Sequence, residues 1–167
     1  MTEGQQDSHT SDKHASRSLQ IDFYHLRDAD LATPLAMLAH KTAASGHKLL
    51  VLGQQASFAA ISEKLWSFRP DSFLAHDSDS ADGQEHASVW LSSDVEANQI
   101  QASFLALTSG LEPPDIRQFD RIFNLFDGTS ETALAVARDS WRRWSAIEQV
   151  SCRYFSQDEQ GRWSQKK

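Results

Sequence analysis

Apolar residues recur along the chain at two periods, and the switches between them outline the fold. Leu19–His25 (LQIDFYH) is a near-continuous apolar run, the pattern of a strand covered on both faces. Leu35, Leu38, Ala39 and Thr42 stand at helical spacing and predict a helix over Leu31–Ser45, with Gly46 as its C-terminal cap. Lys48–Leu52 (KLLVL) predicts a short buried strand ending at Gly53, and Ser57–Trp66 a second helix. Strand, helix, strand, helix in this order implies a right-handed parallel βαβ unit. Further strands are predicted at Ala87–Leu91, Gln101–Leu107 and Arg121–Phe126, with a turn at Gly110–Pro114. A long helix follows over Ser130–Gln149. Ser151–Phe155 and Arg162–Trp163, joined through Gly161, then read as a closing antiparallel hairpin. No internal repeat is present.

The last helix carries the most information. Thr129 or Ser130 can cap it, and Glu131 places an acid in the first turn, where the helix dipole favours one. At 100° per residue, Ala133, Val136, Ala137, Ser140, Trp144 and Ile147 share one face and form a core stripe. Leu134, Arg138, Trp141 and Ser145 form a second stripe beside it, while Arg142 and Arg143 extend positive charge around the exposed side. An apolar pad, a guanidinium and an indole in line suit capture of an acidic group that ends in an apolar one. The competing reading makes both tryptophans core and the arginines solvating charge. A second aromatic cluster, Trp66, Phe68 and Phe73 around Pro70, reads equally well as a tucked loop or as a contact surface.

Two segments lack apolar periodicity. Residues 1–18 read as a polar, disordered arm, leaving 19–167 as one domain, and His9 and His14 read as solvated. Asp77–Glu85 is an acidic surface loop. Its Asp77, Asp79 and Asp82 lack the spacing and closing glutamate of a calcium loop, and the flanking His76 and His86 read as surface residues.

Charge sharpens the picture. The chain carries −7 overall, which argues against a general nucleic-acid binder. From Arg138 onward there are seven Lys/Arg against four Asp/Glu, a net +3, so the preceding part carries −10. A basic patch this small favours an acidic peptide over a long phosphate track. The single cysteine, Cys152, excludes an internal disulfide and a cysteine-based zinc site, and fits a reducing cytoplasm. No membrane-length apolar run and no signal-peptide pattern occur. Phosphate-binding glycine motifs, a nucleophile elbow and metal-ligand spacings are lacking, so no catalytic residue, metal or cofactor is expected. Asp22 and Asp28 lie near a strand end, where α/β enzymes place carboxylates, but no partner for them can be named. The residues alone leave open an acidic-peptide adaptor, a direct nucleic-acid binder, and an α/β enzyme with an unrecognised site.

The succession FYHL, LW-x-x-RP-x-SF-x-x-H (Leu65, Trp66, Arg69, Pro70, Ser72, Phe73, His76), RIFNLFDG and AR-x-x-W-R resembles the chi subunit of bacterial DNA polymerase III over Leu19–Trp163. The middle motif has one extra residue around Phe68. The resemblance implies a three-layer α/β/α sandwich with a mostly parallel sheet, related to mononucleotide-binding folds but without a nucleotide site. It implies a non-catalytic, cytoplasmic adaptor that joins the clamp loader of the polymerase III holoenzyme to single-stranded DNA-binding protein. Such an adaptor grips that protein's acidic C-terminal tail and meets DNA only indirectly. The family's tail-binding arginine falls on Arg138 and its aromatic neighbour on Trp141, in place of tyrosine. A family lysine falls on Leu134, with Arg142 or Arg143 as the replacement cation. The family's surface for the psi subunit, or for a competing helicase, falls on Trp66 and Phe73, which turns the aromatic loop into a contact surface.

Overall fold

A computed structural model describes residues 17–79 and 86–167. Most of the expected arm, with His9 and His14, lies outside the described residues, as does the part of the acidic loop that holds Asp82. Among the described residues, eight strands form one sheet: β1 (Leu19–Leu26), β2 (Leu49–Leu52), β3 (His76–Ser78), β4 (Val89–Ser92), β5 (Phe104–Leu107), β6 (Arg121–Asp127), β7 (Val150–Gln157) and β8 (Trp163–Lys166). Their spatial order is β3-β4-β2-β5-β6-β1-β7-β8, and every neighbouring pair is parallel except β7–β8. Helices α1 (Ala32–Ala44), α2 (Phe58–Ser67) and α3 (Glu131–Ser145) complete the α/β fold.

The alternation along β1 separates two cores. Ile21 and Phe23 point to the side where Ala137 and Trp144 of α3 pack. Tyr24 and Leu26 point to the opposite side, against Leu35 and Leu38 of α1 and Ile61 and Leu65 of α2. The central strands are buried on both faces, which is why β2 (LLVL) and β4 (VWLS) read as unbroken runs. Gly46 closes α1 at φ +81°, with its N–H donating to Ala43 and that of His47 donating to Thr42, as the sequence predicts.

Three details depart from the sequence reading. The start of the acidic loop pairs as an edge strand, β3, in register with β4. It escapes a hydrophobic pattern because its residues, His76, Asp77 and Ser78, are polar. Helix α3 stops at Ser145 rather than Gln149, and Gln149 adopts φ +66° so that its carbonyl can accept from Leu19 N–H at 3.0 Å. Val136, expected in the core stripe, is 40% exposed. It borders a hollow of about 250 Å³ between α3 and the loop after β5.

Asp22 does have partners, and they are remote in sequence. Its side chain is fully buried between two guanidiniums. Arg153 donates from Nε and Nη2 at 2.7 and 2.9 Å, and Arg121 from Nε and Nη2 at 3.1 and 2.7 Å. Gln20 adds a bond at 2.8 Å. Burial alone would push the Asp22 carboxyl up, but the bonds from Arg153, Gln20 and Arg121 outweigh it and hold the group below the usual carboxylate range. This cluster ties β1 to β6 and β7. Because the folded value is depressed, its stabilisation is complete above the unfolded carboxylate range and is lost as pH falls through the folded value. Asp22→Asn is expected to lower stability by about 2–4 kcal/mol at pH 7, since it leaves two cations without their anion. Urea unfolding should show the gap to wild type narrowing as pH is taken below about 4; a gap independent of pH would remove the ionic account.

Candidate functional site

Alongside α3, on the side toward β7, lies a groove of about 370 Å³. Its floor is Phe23 and His25 of β1 and Phe126 of β6; its helical wall is Leu134, Ala137, Arg138, Trp141 and Arg142; its far wall is Tyr154 of β7. The floor exists because β1 alternates, sending Phe23 and His25 to the same face. The helical wall exists because Leu134, Arg138, Trp141 and Arg142 share one stripe of α3, which Ser130 starts by capping, its hydroxyl accepting from Ala133 N–H at 3.2 Å.

Trp141 is half-buried. Its ring meets Phe23 edge-on with centroids 5.0 Å apart and Tyr154 at 6.4 Å. Trp144, one turn on, is the sealed core indole. The two tryptophans therefore divide, one to the core and one to the groove. Arg138 is exposed and has no hydrogen bond or ion pair among the described residues. Burial pushes the Tyr154 phenol up, while the nearby charge of Arg138 acts in the opposite direction. The phenol is hydrogen-bonded to His25 Nδ1, which fixes both rings along the groove.

Arg143 does not join them. Its guanidinium donates to Glu112 at 2.7 and 3.0 Å and to Asp139 at 2.9 Å, on the other flank of α3. These partners, Glu112 foremost, raise its pKa further. Helical geometry explains the split: Arg142 lies about 40° around the axis from Arg138, but Arg143 lies about 140° away. The expectation that Arg143 supplies a free cation is corrected accordingly, and Arg142 is the arginine next to Arg138 in the groove wall.

The aromatic loop divides as well. Phe68 stacks on His40 with centroids 5.5 Å apart, and Leu74 is buried. Trp66 is 53% exposed and Phe73 74%, their rings 5.1 Å apart. His76 backs Trp66 at 5.0 Å and is pinned by Ser62 Oγ at 2.8 Å and the Leu74 carbonyl at 2.9 Å. Because α2 and α3 cover opposite faces of the sheet, this pair and the groove point away from each other. Among the described residues, no group of three or more His, Cys, Asp or Glu is placed to hold a metal ion, and no helix is long and apolar enough to cross a membrane.

Sequence reasoning missed the floor of the groove and Tyr154. The signal was present in the alternation of β1 and of the strand after α3, but assigning it needs the strand order. Gly128 was also missed: a Cβ there would collide with the His25 ring and stand 2.5 Å from the Leu26 carbonyl oxygen. Gly128→Ala is expected to destabilise by about 1–3 kcal/mol and to displace His25 from Tyr154. Urea unfolding measures the first, and loss of the native imidazole resonance of His25 in an NMR spectrum measures the second.

No curated protein matches the chain. Residues 19–149 match the family described as DNA polymerase III chi subunit, HolC, a stretch that contains α3 and all of the groove except Tyr154. With most of its length matched, the chain belongs to the chi-subunit family of DNA polymerase III, part of the DNA replication machinery.

Proposed function

We propose that this chain is a non-catalytic adaptor of the polymerase III holoenzyme whose α3 groove grips the acidic C-terminal tail of single-stranded DNA-binding protein. In this reading residues 19–167 act as one cytoplasmic domain, residues 1–18 as an arm, and DNA is reached only through the tailed partner. The observation that supports it is the exposed Arg138 guanidinium, without an ion-pair partner among the described residues, beside the half-buried Trp141 over an apolar floor. The terminal carboxylate of the tail pairs with Arg138, and its last aromatic ring enters between Trp141 and Leu134. Arg142 lies within the same wall for the acidic residues that precede the end.

Magnitudes favour a modest, reversible contact. Burying one phenyl group contributes about 1.5–3 kcal/mol. A charge-assisted bond contributes about 1.5–3 kcal/mol when shielded and less at an exposed arginine. After the cost of ordering a flexible tail, the expected affinity is roughly micromolar, near −8 kcal/mol. Trp66 and Phe73, exposed together on the opposite face, are assigned in this reading to the psi subunit or a competing helicase.

Titration of a fluorescent tail peptide tests the groove. Arg138→Ala should weaken binding more than tenfold and Trp141→Ala at least as much, with affinity falling as salt rises. Arg143→Ala, which removes a cation already paired, should change it less than about twofold. Unchanged affinity in both of the first two variants refutes the site. For the other face, Phe73→Ala should abolish co-purification with a psi subunit or helicase while leaving the peptide titration intact; loss of peptide binding instead would show that the two faces are not separate.

A further inference from the structure

Beyond Tyr154 the groove is not closed by a helix, because α3 packs over β6 and β7 and the sheet continues one strand further. That strand, β8, runs antiparallel to β7 with Tyr154 opposite Lys166 and Ser156 opposite Ser164. Directly opposed residues of an antiparallel pair share a face, with Cβ atoms about 4.5–5.5 Å apart. Trp163 confirms the parity: its ring meets Tyr24 on the far side of the sheet, with centroids 5.0 Å apart. Lys166 is therefore on the groove side, next to Tyr154, and its long stem can carry the ammonium to the rim. It has no ion pair among the described residues. Arg162, just before β8, is held by Asp158 at 2.9 Å and does not compete for the role.

The opposite end of the groove is acidic. Asp127 directly follows Phe126 of the floor, and Glu131 stands in the first turn of α3, one turn before Leu134 of the wall. An acidic chain seated with its apolar end against Trp141 is repelled from that end and drawn toward the cations at the other. Tyr154 is level with Phe23, the residue under Trp141, so Lys166 faces Trp141 from across the groove. Strands β7 and β8 lie beyond residues 19–149, the stretch that carries the family match.

We propose that Lys166 of β8 forms the strand-side bank of the groove and, with Arg142 on the helix side, receives the acidic residues that precede the apolar end of the bound peptide. This rests on the tail reading of the groove and adds to it a second, electrostatic contact with its own residue. Arg138 and Trp141 recognise the peptide's end; Lys166 and Arg142 recognise its charge.

Two synthetic probes separate the claims: fluorescent peptides with the same three apolar terminal residues and a free carboxylate, one preceded by four aspartates and the other by four serines. Lys166→Glu should weaken the aspartate peptide about three- to tenfold, leave the serine peptide unchanged, and lose its effect at high salt. Lys166→Gln should give a smaller loss in the same direction. Equal affinity of wild type and Lys166→Glu for the aspartate peptide overturns the proposal. So does an equal loss on both peptides, which marks a change in the hairpin rather than a charge contact. Arg138→Ala provides the distinction from the underlying reading: it should weaken both peptides, and if it weakens neither, the groove does not hold a tail and the proposal falls with it.

Discussion

A single helix cannot cover one face of an eight-stranded sheet. Strands lie about 4.8 Å apart and a helix with its side chains is about 10–12 Å across, so α3 can seal little more than two strands. On the other face, α1 and α2 share the work. On the α3 face, the long connections after β4 and β5 cover β2, β4 and β5, with Ile100, Ala102 and Ile116 entering the core. What remains open is the β7 side of α3, over Tyr154. The groove is this margin: Trp141 of α3 overhangs the buried Phe23, and the floor runs out from under the helix toward Tyr154.

The far wall of that strip depends on a contact on the reverse side of the sheet. Asp22, Arg121 and Arg153 occupy alternate positions on β1, β6 and β7 and face away from the groove. Their neighbours Phe23 and Tyr154 therefore face into it. In the ladder Asp22 lies opposite Arg153 and Phe23 opposite Tyr154, so the ionic pair and the groove pair are adjacent rungs. A shift of β7 by one residue would move Arg153 under α3 and Tyr154 out to the other face. A buried carboxylate between two guanidiniums penalises that shift, because it would strip Asp22 of both bonds from Arg153 and leave it only Arg121 and Gln20. The cluster thus fixes the register that the groove requires.

What could be read in the sequence follows the range of each interaction. The βαβ opening, the N-cap of α3, the cap glycine of α1 and the closing hairpin all rest on neighbours within a few positions, and local periodicity finds them. The division of Trp141 from Trp144 is partly local: the helical wheel puts them on adjacent stripes, but Phe23 packs against both, and only the placement of α3 on the sheet seals Trp144 and leaves Trp141 at the groove. The role of Arg143 is set by Glu112, and that of Asp22 by Arg121 and Arg153, all distant along the chain. Periodicity carries no information about such partners. The exposure of Val136 has a related reason: its stripe is correct for the helix, but the loop after β5, which local periodicity does not place, leaves a hollow beside it.

The pairing of charges separates the arginines of the chain's basic end. Acids outnumber bases in the whole sequence, so a cation has many carboxylates available to it. Arg153 and Arg162 each bind one, and Arg143 binds two. Arg138 and Arg142 have none among the described residues, although Asp139 follows Arg138 in the chain, because on the helix Asp139 turns toward Arg143 instead. An exposed ion pair contributes at most about 1 kcal/mol, so leaving these two cations open sacrifices little stability. An incoming carboxylate at Arg138 consequently has no internal ion pair to displace, and the apolar floor beside it lowers the local dielectric in which the new pair forms. The same guanidinium set where Arg143 sits would first have to release Glu112 and Asp139, and the net gain from binding an acid there would be close to zero.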